Sequence, residues 1–224
     1  MPWGQEEHEP RFRDRVEAGR ALSVALARYR HDPRAVVLAL PRGGVPVGFE
    51  VATALGLPLD VFVVRKLGVP RHPEVAMGAI ASGGVLVLNQ ETIEAIGIAP
   101  AEIEAVRRIE ARELARREAA YRPERPPLDV RGKTAIVVDD GLATGATLRA
   151  AVTALRQRGA ARIVAAVPVG ATDTCAALRA EVDELVCLHT PSPFHAVGLW
   201  YQRFEQTTDD EVRDLLSAAE AHPA

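Results

Sequence analysis

Residues 134–150, Thr-Ala-Ile-Val-Val-Asp-Asp-Gly-Leu-Ala-Thr-Gly-Ala-Thr-Leu-Arg-Ala, decide how the rest of the chain is read. The opening run is strand-length and apolar without alternation, which predicts a strand buried on both faces, the kind found in parallel sheets. It stops at two consecutive acids, Asp139 and Asp140, turns through Gly141 and Gly145, and enters a helical pattern over residues 146–158. Strand, glycine turn and helix together form the unit from which α/β domains are built.

Working outward, the same unit recurs. Residues 35–40 read as a buried strand, Pro41-Arg42-Gly43-Gly44 as a glycine loop, and residues 45–55 as a helix. A further strand is expected at 60–65, and two more at 162–167 and 184–188 around a short helix at 173–180. Val16, Leu22, Leu26 and Tyr29 space an amphipathic helix over 12–30, and a last helix is expected at 209–219. The expected fold is therefore α/β, a mostly parallel central sheet flanked by helices on both faces, as one domain over residues 1–224. Residues 68–131 interrupt it as an inserted subdomain. That insertion holds a β-ribbon near 76–88, a charged helix over 101–121 whose Arg and Glu residues predict a solvated face, and a stiff return at 123–127. Residues 190–224 form a small C-terminal hood and helix.

Bulk properties narrow the classes. The chain has 224 residues, 48% hydrophobic and 25% charged, which suits a globular protein. Its net charge of −3 argues against a surface built for nucleic-acid backbone or anionic membrane. No apolar run approaches the ~20 residues of a membrane span. Residues 1–15 are polar and lack a secretory signal, so a cytoplasmic location is expected. Cys175 and Cys187 form no Cys-x-x-Cys pair and read as free thiols of a reducing compartment.

The turn after residue 138 has the parts needed to hold a sugar phosphate. Amides of the turn and of the helix start can bind a phosphate dianion, helped by the Thr144 and Thr147 hydroxyls. Ionised Asp139 and Asp140 accept hydrogen bonds, and the vicinal hydroxyls of a ribose donate them. A plain helix cap explains only one of the two acids, and a second acid at a buried strand end is costly without a partner. A Walker A loop is excluded because the turn has no Gly-Lys-Ser/Thr.

The string Val137-Val138-Asp139-Asp140-Gly141-Leu142-Ala143-Thr144-Gly145-Ala146-Thr147 resembles the phosphoribosyl-pyrophosphate signature of the type I phosphoribosyltransferases. The β/α layout extends that resemblance over roughly residues 11–188. It implies that Asp139 and Asp140 hold the ribose 2′- and 3′-hydroxyls. Gly141, Leu142, Ala143, Thr144, Gly145, Ala146 and Thr147 would enclose the 5-phosphate. The loop at Arg42, Gly43 and Gly44 is similar to the pyrophosphate loop; glycine admits close approach and Arg42 offers a forked cation. Arg65 and Lys66 resemble further pyrophosphate contacts, with Arg42 and Lys66 as the catalytic pair. A glycine-rich stretch at 77–84 matches in position the loop that covers the reacting centre. Four of the chain's ten aromatics fall between Phe194 and Phe204, and Phe194 is the expected contact to the acceptor base.

The implied reaction is transfer of the 5-phosphoribosyl group from magnesium-bound phosphoribosyl pyrophosphate to a small nitrogenous acceptor, releasing pyrophosphate. Magnesium would ride mainly on the substrate, with Asp139 and Asp140 the protein groups within reach. The resemblance also implies a homodimer with no nucleic-acid or membrane partner. Ala143 stands where the 6-oxopurine enzymes carry an acid, which disfavours hypoxanthine and guanine. The rival reading is a catalytically idle sensor of phosphoribosyl pyrophosphate, against which Arg42 and Lys66 count. A dinucleotide-binding oxidoreductase fails for want of Gly-x-Gly-x-x-Gly after any expected strand.

Overall fold

A computed structural model describes residues 11–122 and 126–221. Most of the polar N-terminal segment, and the first three positions of the expected return at 123–127, lie outside the described residues. After α1 (Arg15–Ala25) and a 3-10 turn come β1 (Ala35–Ala39), α2 (Gly44–Leu55) and β2 (Leu59–Val61). Next come β3 (Val64–Val69), β4 (His72–Ala81), β5 (Val85–Leu88), α3 (Gln90–Ile96) and α4 (Pro100–Tyr121). The chain then runs through β6 (Thr134–Val138), α5 (Ala146–Gln157), β7 (Arg162–Val169), α6 (Thr172–Leu178), β8 (Glu184–His189) and α7 (Asp209–Ala221).

The central sheet has the order β2-β1-β6-β7-β8, and every pairing in it is parallel. Its apolar runs are continuous because side chains alternate between two covered faces. Val37, Ala39, Ile136, Val138 and Val164 join the cluster built with α1, α2 and α7. Their neighbours Val36, Leu38, Ala135, Val137 and Ile163 join the cluster on the α5 and α6 side. Each such Val, Leu or Ile contributes about 1.5–3 kcal/mol on burial. A charge at Val137, which has no exposed surface, would enter a site with no polar partner.

The strand expected at 60–65 divides. β2 ends at Val61, and β3 begins a second, antiparallel sheet of order β3-β4-β5. The amide of Phe62 still donates to Ala39 of the parallel sheet, whereas that of Val63 donates to Ser82 Oγ and the Ser82 amide donates back to the Val63 carbonyl. Hydrophobic periodicity is continuous through Val61-Phe62-Val63 and carries no sign of the change of partner. The insertion also contains α3, which the sequence reading does not anticipate; Asn89 caps it by accepting from the Thr92 amide, and Gly97 ends it at φ 73°.

The charged helix α4 is solvated along one side by intrahelical pairs such as Glu104–Arg107 and Glu113–Arg116. Its other side is anchored. Leu114 and Tyr121 are buried, and Arg122, just past its end, donates to Asp60 of β2 at 3.0 Å. That pair is sealed from water, with side chains 3% and 1% exposed. None of the described helices is long and apolar enough to cross a membrane.

Candidate active site

The winding of the parallel sheet reverses between β1 and β6, since the chain steps outward from β1 to β2 and returns on the other side with β6. Open α/β sheets form a ligand crevice at the carboxyl ends of strands at such a reversal. Both turns singled out in the sequence lie there, touching. The Leu40 amide donates to the Val138 carbonyl at 2.8 Å. A Cβ on Gly44 would sit 2.7 Å from that same carbonyl, and one on Gly43 would sit 2.0 Å from Asp140 Oδ2. Gly43 has ordinary helical angles (φ −61°, ψ −31°), so close approach, not backbone freedom, requires glycine there.

Two helix N-termini open on this crevice. α2 starts after Gly43 and α5 after Gly145, and neither cap residue supplies a side-chain bond to the first amides. At α2 the Gly44 and Val45 amides donate to the Leu40 and Arg42 carbonyls, and at α5 the Ala146 amide meets Thr144 Oγ1 at 3.5 Å; both starts carry the positive end of a helix dipole. Gly145 adopts φ 75°, a left-handed angle that admits glycine readily. The turn before it is braced from the side. The Leu142 amide donates to Val169, the Ala171 amide to Leu142, and Thr174 Oγ1 to the Ala143 carbonyl at 2.7 Å. Thr144 and Thr147 remain exposed at the rim.

Asp139 and Asp140 sit at the mouth of β6. Burial, reinforced by the neighbouring Asp140 charge, pushes the Asp139 carboxyl well above the usual carboxylate range. Burial also raises Asp140, though the guanidinium of Arg15 opposes the shift. Arg15, from α1, places Nε and Nη2 each 2.9 Å from Asp140 Oδ2. Asp139 Oδ1 accepts from the Asp140 amide at 2.9 Å. Ionising both carboxyls is therefore costly, and hydroxyl donors or a cation would relieve that cost.

The other expected residues are distributed as follows. Arg42 stands on the glycine loop, with Nη1 3.5 Å from Asp209 at the start of α7. Arg65 and Lys66 project from opposite faces of β3. Arg65 makes two contacts with Glu110 of α4, at 2.8 and 2.6 Å. Lys66 is exposed, makes a 3.4 Å bond to the Glu74 carbonyl, and lines a cavity of about 250 Å³ with Val64, Ala79, Ala146 and Thr147. Lys66 thus shares a space with the start of α5, while Arg65 does not. Phe194 packs beside the small cluster of Phe12, Ala18, Val169, Trp200 and Tyr201.

Sequence reasoning missed Arg15, Thr174 and Asp209, which touch the expected residues from remote elements. Arg15 lies 125 positions from Asp140, and no local pattern links the two.

The family model described as the phosphoribosyl transferase domain matches residues 14–199. A provisionally named phosphoribosyl transferase of Mycobacterium tuberculosis strain H37Rv is 49% identical over 208 residues, covering 93% of this chain and 47% of that protein. The chain thus spans about half the length of this curated relative. The uracil phosphoribosyltransferase of a Nocardioides species is 43% identical over 68 residues, 30% of this chain and 32% of that one. Among solved structures, TT1426 from Thermus thermophilus is 42% identical with a TM-score of 0.82, over 92% of this chain and 97% of that one. The chain belongs to the phosphoribosyl transferase domain family.

Proposed function

We propose that this protein transfers the 5-phosphoribosyl group of phosphoribosyl pyrophosphate to a small nitrogenous acceptor, with release of pyrophosphate. The observation that carries the reading is the contact of the two turns, which sets an acid pair, two helix N-termini and a cationic loop around one crevice. In this reading Asp139 and Asp140 accept from the ribose diol, and residues Gly141 to Thr147 enclose the 5-phosphate. Gly43 and Gly44 let the backbone approach the pyrophosphate, while Arg42 and Lys66 neutralise the charge that grows on it as it leaves. Phe194 offers a flat face to the acceptor. We place the reaction in the cytoplasm and the working form as a homodimer, on the strength of family membership.

Magnesium fits the donor set as an ion carried largely by the substrate. Among the described residues no group of three or more His, Cys, Asp or Glu could hold a metal, and two adjacent carboxylates suit an ion that keeps phosphate and water ligands. Asp139 and Asp140 would hold it. When bound, the ion supplies positive charge to the pyrophosphate.

The test is pyrophosphate release by the purified protein with phosphoribosyl pyrophosphate, magnesium and a panel of bases that includes uracil and adenine. Turnover with a member of the panel is expected. Calorimetry that detects no binding of phosphoribosyl pyrophosphate rejects the proposal, and binding without any turnover establishes the sensor instead. Replacing both acids, Asp139→Asn with Asp140→Asn, is expected to abolish ribose recognition; unchanged affinity counts against the assignment.

A further inference from the structure

Asp140 is held from several sides at once. Both Arg15 contacts end on Oδ2, and among the described residues no hydrogen bond from another residue ends on Oδ1. Arg15 is itself fixed: Nη1 donates to the Glu205 carbonyl at 2.8 Å, and the guanidinium lies 3.9 Å over the Phe204 ring. Phe204 stacks on Tyr201 at 4.9 Å and 29°. The Tyr201 hydroxyl donates to the backbone carbonyl of Asp140. The contacts close into a ring that runs from the Asp140 carboxylate through Arg15, Phe204 and Tyr201 to the Asp140 carbonyl. Oδ2 occupies the space that a Cβ at position 43 would fill, 2.0 Å from where that atom would lie.

We propose that Arg15 is a positioning residue for ribose recognition, holding Asp140 Oδ2 so that Oδ1 faces the sugar, with Phe204 and Glu205 acting on the site through it. The inference rests on the reading of the acid pair as the diol acceptor. A carboxylate has two equivalent oxygens and one soft torsion, so an unanchored Asp140 would rotate and lose directionality toward a hydroxyl. A guanidinium fork fixes that torsion better than an ammonium, because its donors have a set geometry. Both side chains are mostly buried, with exposures of 12% and 15%, so water does not easily replace the pair. Residue 15 therefore bears on how well a diol is told from its absence. The 5-phosphate contacts, made by the turn at 141–147, lie outside its reach.

Two probes separate these effects: ribose 5-phosphate, and tetrahydrofurfuryl phosphate, which keeps the ring and the phosphate but has no hydroxyls. Affinities of both are measured by calorimetry on the full chain, with melting temperature as a control. The wild type is expected to prefer ribose 5-phosphate by about tenfold or more, from charged hydrogen bonds to the diol. Arg15→Met is expected to lose most of that preference and to bind tetrahydrofurfuryl phosphate as the wild type does; Arg15→Lys is expected to recover part of it. In an Asp140→Asn background, Arg15→Met is expected to add little. Arg15→Gln serves by the same criterion if the Met variant does not fold. An Arg15 variant that keeps the full preference overturns the inference, as does one that weakens both probes equally, since that marks a merely structural role. A wild type that binds neither probe, or both equally, instead overturns the reading of the acid pair.

Discussion

The sharpest test of the two-turn contact is Gly43→Ala. Position 43 has ordinary helical angles, so alanine costs nothing in backbone conformation and stiffens the unfolded chain, a change of about 0.4–1 kcal/mol in favour of folding. The added methyl would lie 2.0 Å from Asp140 Oδ2 and 2.7 Å from its Cγ. Carbon and oxygen at van der Waals contact need more than about 3 Å, so the carboxylate must move by about 1 Å. Asp140 cannot move that far and keep both 2.9 Å contacts with Arg15. Losing a charge-assisted bond costs about 1.5–3 kcal/mol, and a 1 Å misplacement in a site costs about a hundredfold in rate. We expect kcat/KM for phosphoribosyl pyrophosphate to fall by about 10–100-fold while the melting temperature stays within a few degrees. Steady-state pyrophosphate release and a thermal melt on the same preparation read both. Wild-type kinetics in a folded Gly43→Ala protein would refute the argument, because the methyl can be accommodated only if the two turns are not in contact.

Other perturbations separate site from scaffold. Gly145→Ala forces alanine to φ 75° and sets its methyl 2.9 Å from Thr174 Cγ2; stability is expected to fall by about 1–2 kcal/mol and inhibition by inorganic phosphate to weaken, and unchanged phosphate inhibition would show that this turn is not the phosphate site. Arg122→Met leaves Asp60 buried beside its Val61 and Leu128 amides without its arginine, and chemical denaturation should report a loss of about 3–5 kcal/mol; a loss under about 1 kcal/mol would mean that the pair is not sealed from water. Asp14 caps α1, and the bond from the Glu17 amide, helped by Arg13 and Arg203, holds its carboxyl at about 2 against the usual 3.8. A depressed folded-state value means the stabilisation is present above about pH 4 and is lost as pH falls through about 2. Asp14→Ala should therefore cost about 1 kcal/mol at pH 7, with the two stability curves converging near pH 2. Curves that stay parallel down to about pH 2 would remove the cap from the account.

What the sequence made legible is what a single segment encodes. The strand and turn at 134–147 carry their own fold signal, because burial on both faces leaves a run with no polar alternation, and the acids and glycines mark where it ends. β1 and its loop read the same way. The break between β2 and β3 did not, because the apolar run through Val61 to Val63 is satisfied by one sheet and then another without any change of composition. Arg15 was invisible for a related reason: its partner is 125 residues away, and an arginine that stands with Arg13 and Arg20 early in an amphipathic helix reads as solvated.

The same limit governs the cations. In the sequence, Arg42, Arg65 and Lys66 form one class of strand-end positive charges; packing sorts them into three. Arg65 is turned to α4 by strand parity and held by Glu110 at two contacts, 2.8 and 2.6 Å. Arg42 pairs with Asp209 at 3.5 Å, and both partners are about a third exposed or more, a pair worth at most about 1 kcal/mol. Lys66 is held, among the described residues, by a 3.4 Å bond to a carbonyl. A pyrophosphate drawing cations into the crevice gains more than it loses by recruiting Arg42 and Lys66. To recruit Arg65 it would have to break a tighter, better shielded pair and turn the side chain through the sheet. On the proposed reading the leaving-group role would therefore concentrate on Arg42 and Lys66, while Arg65 fastens the inserted sheet to α4.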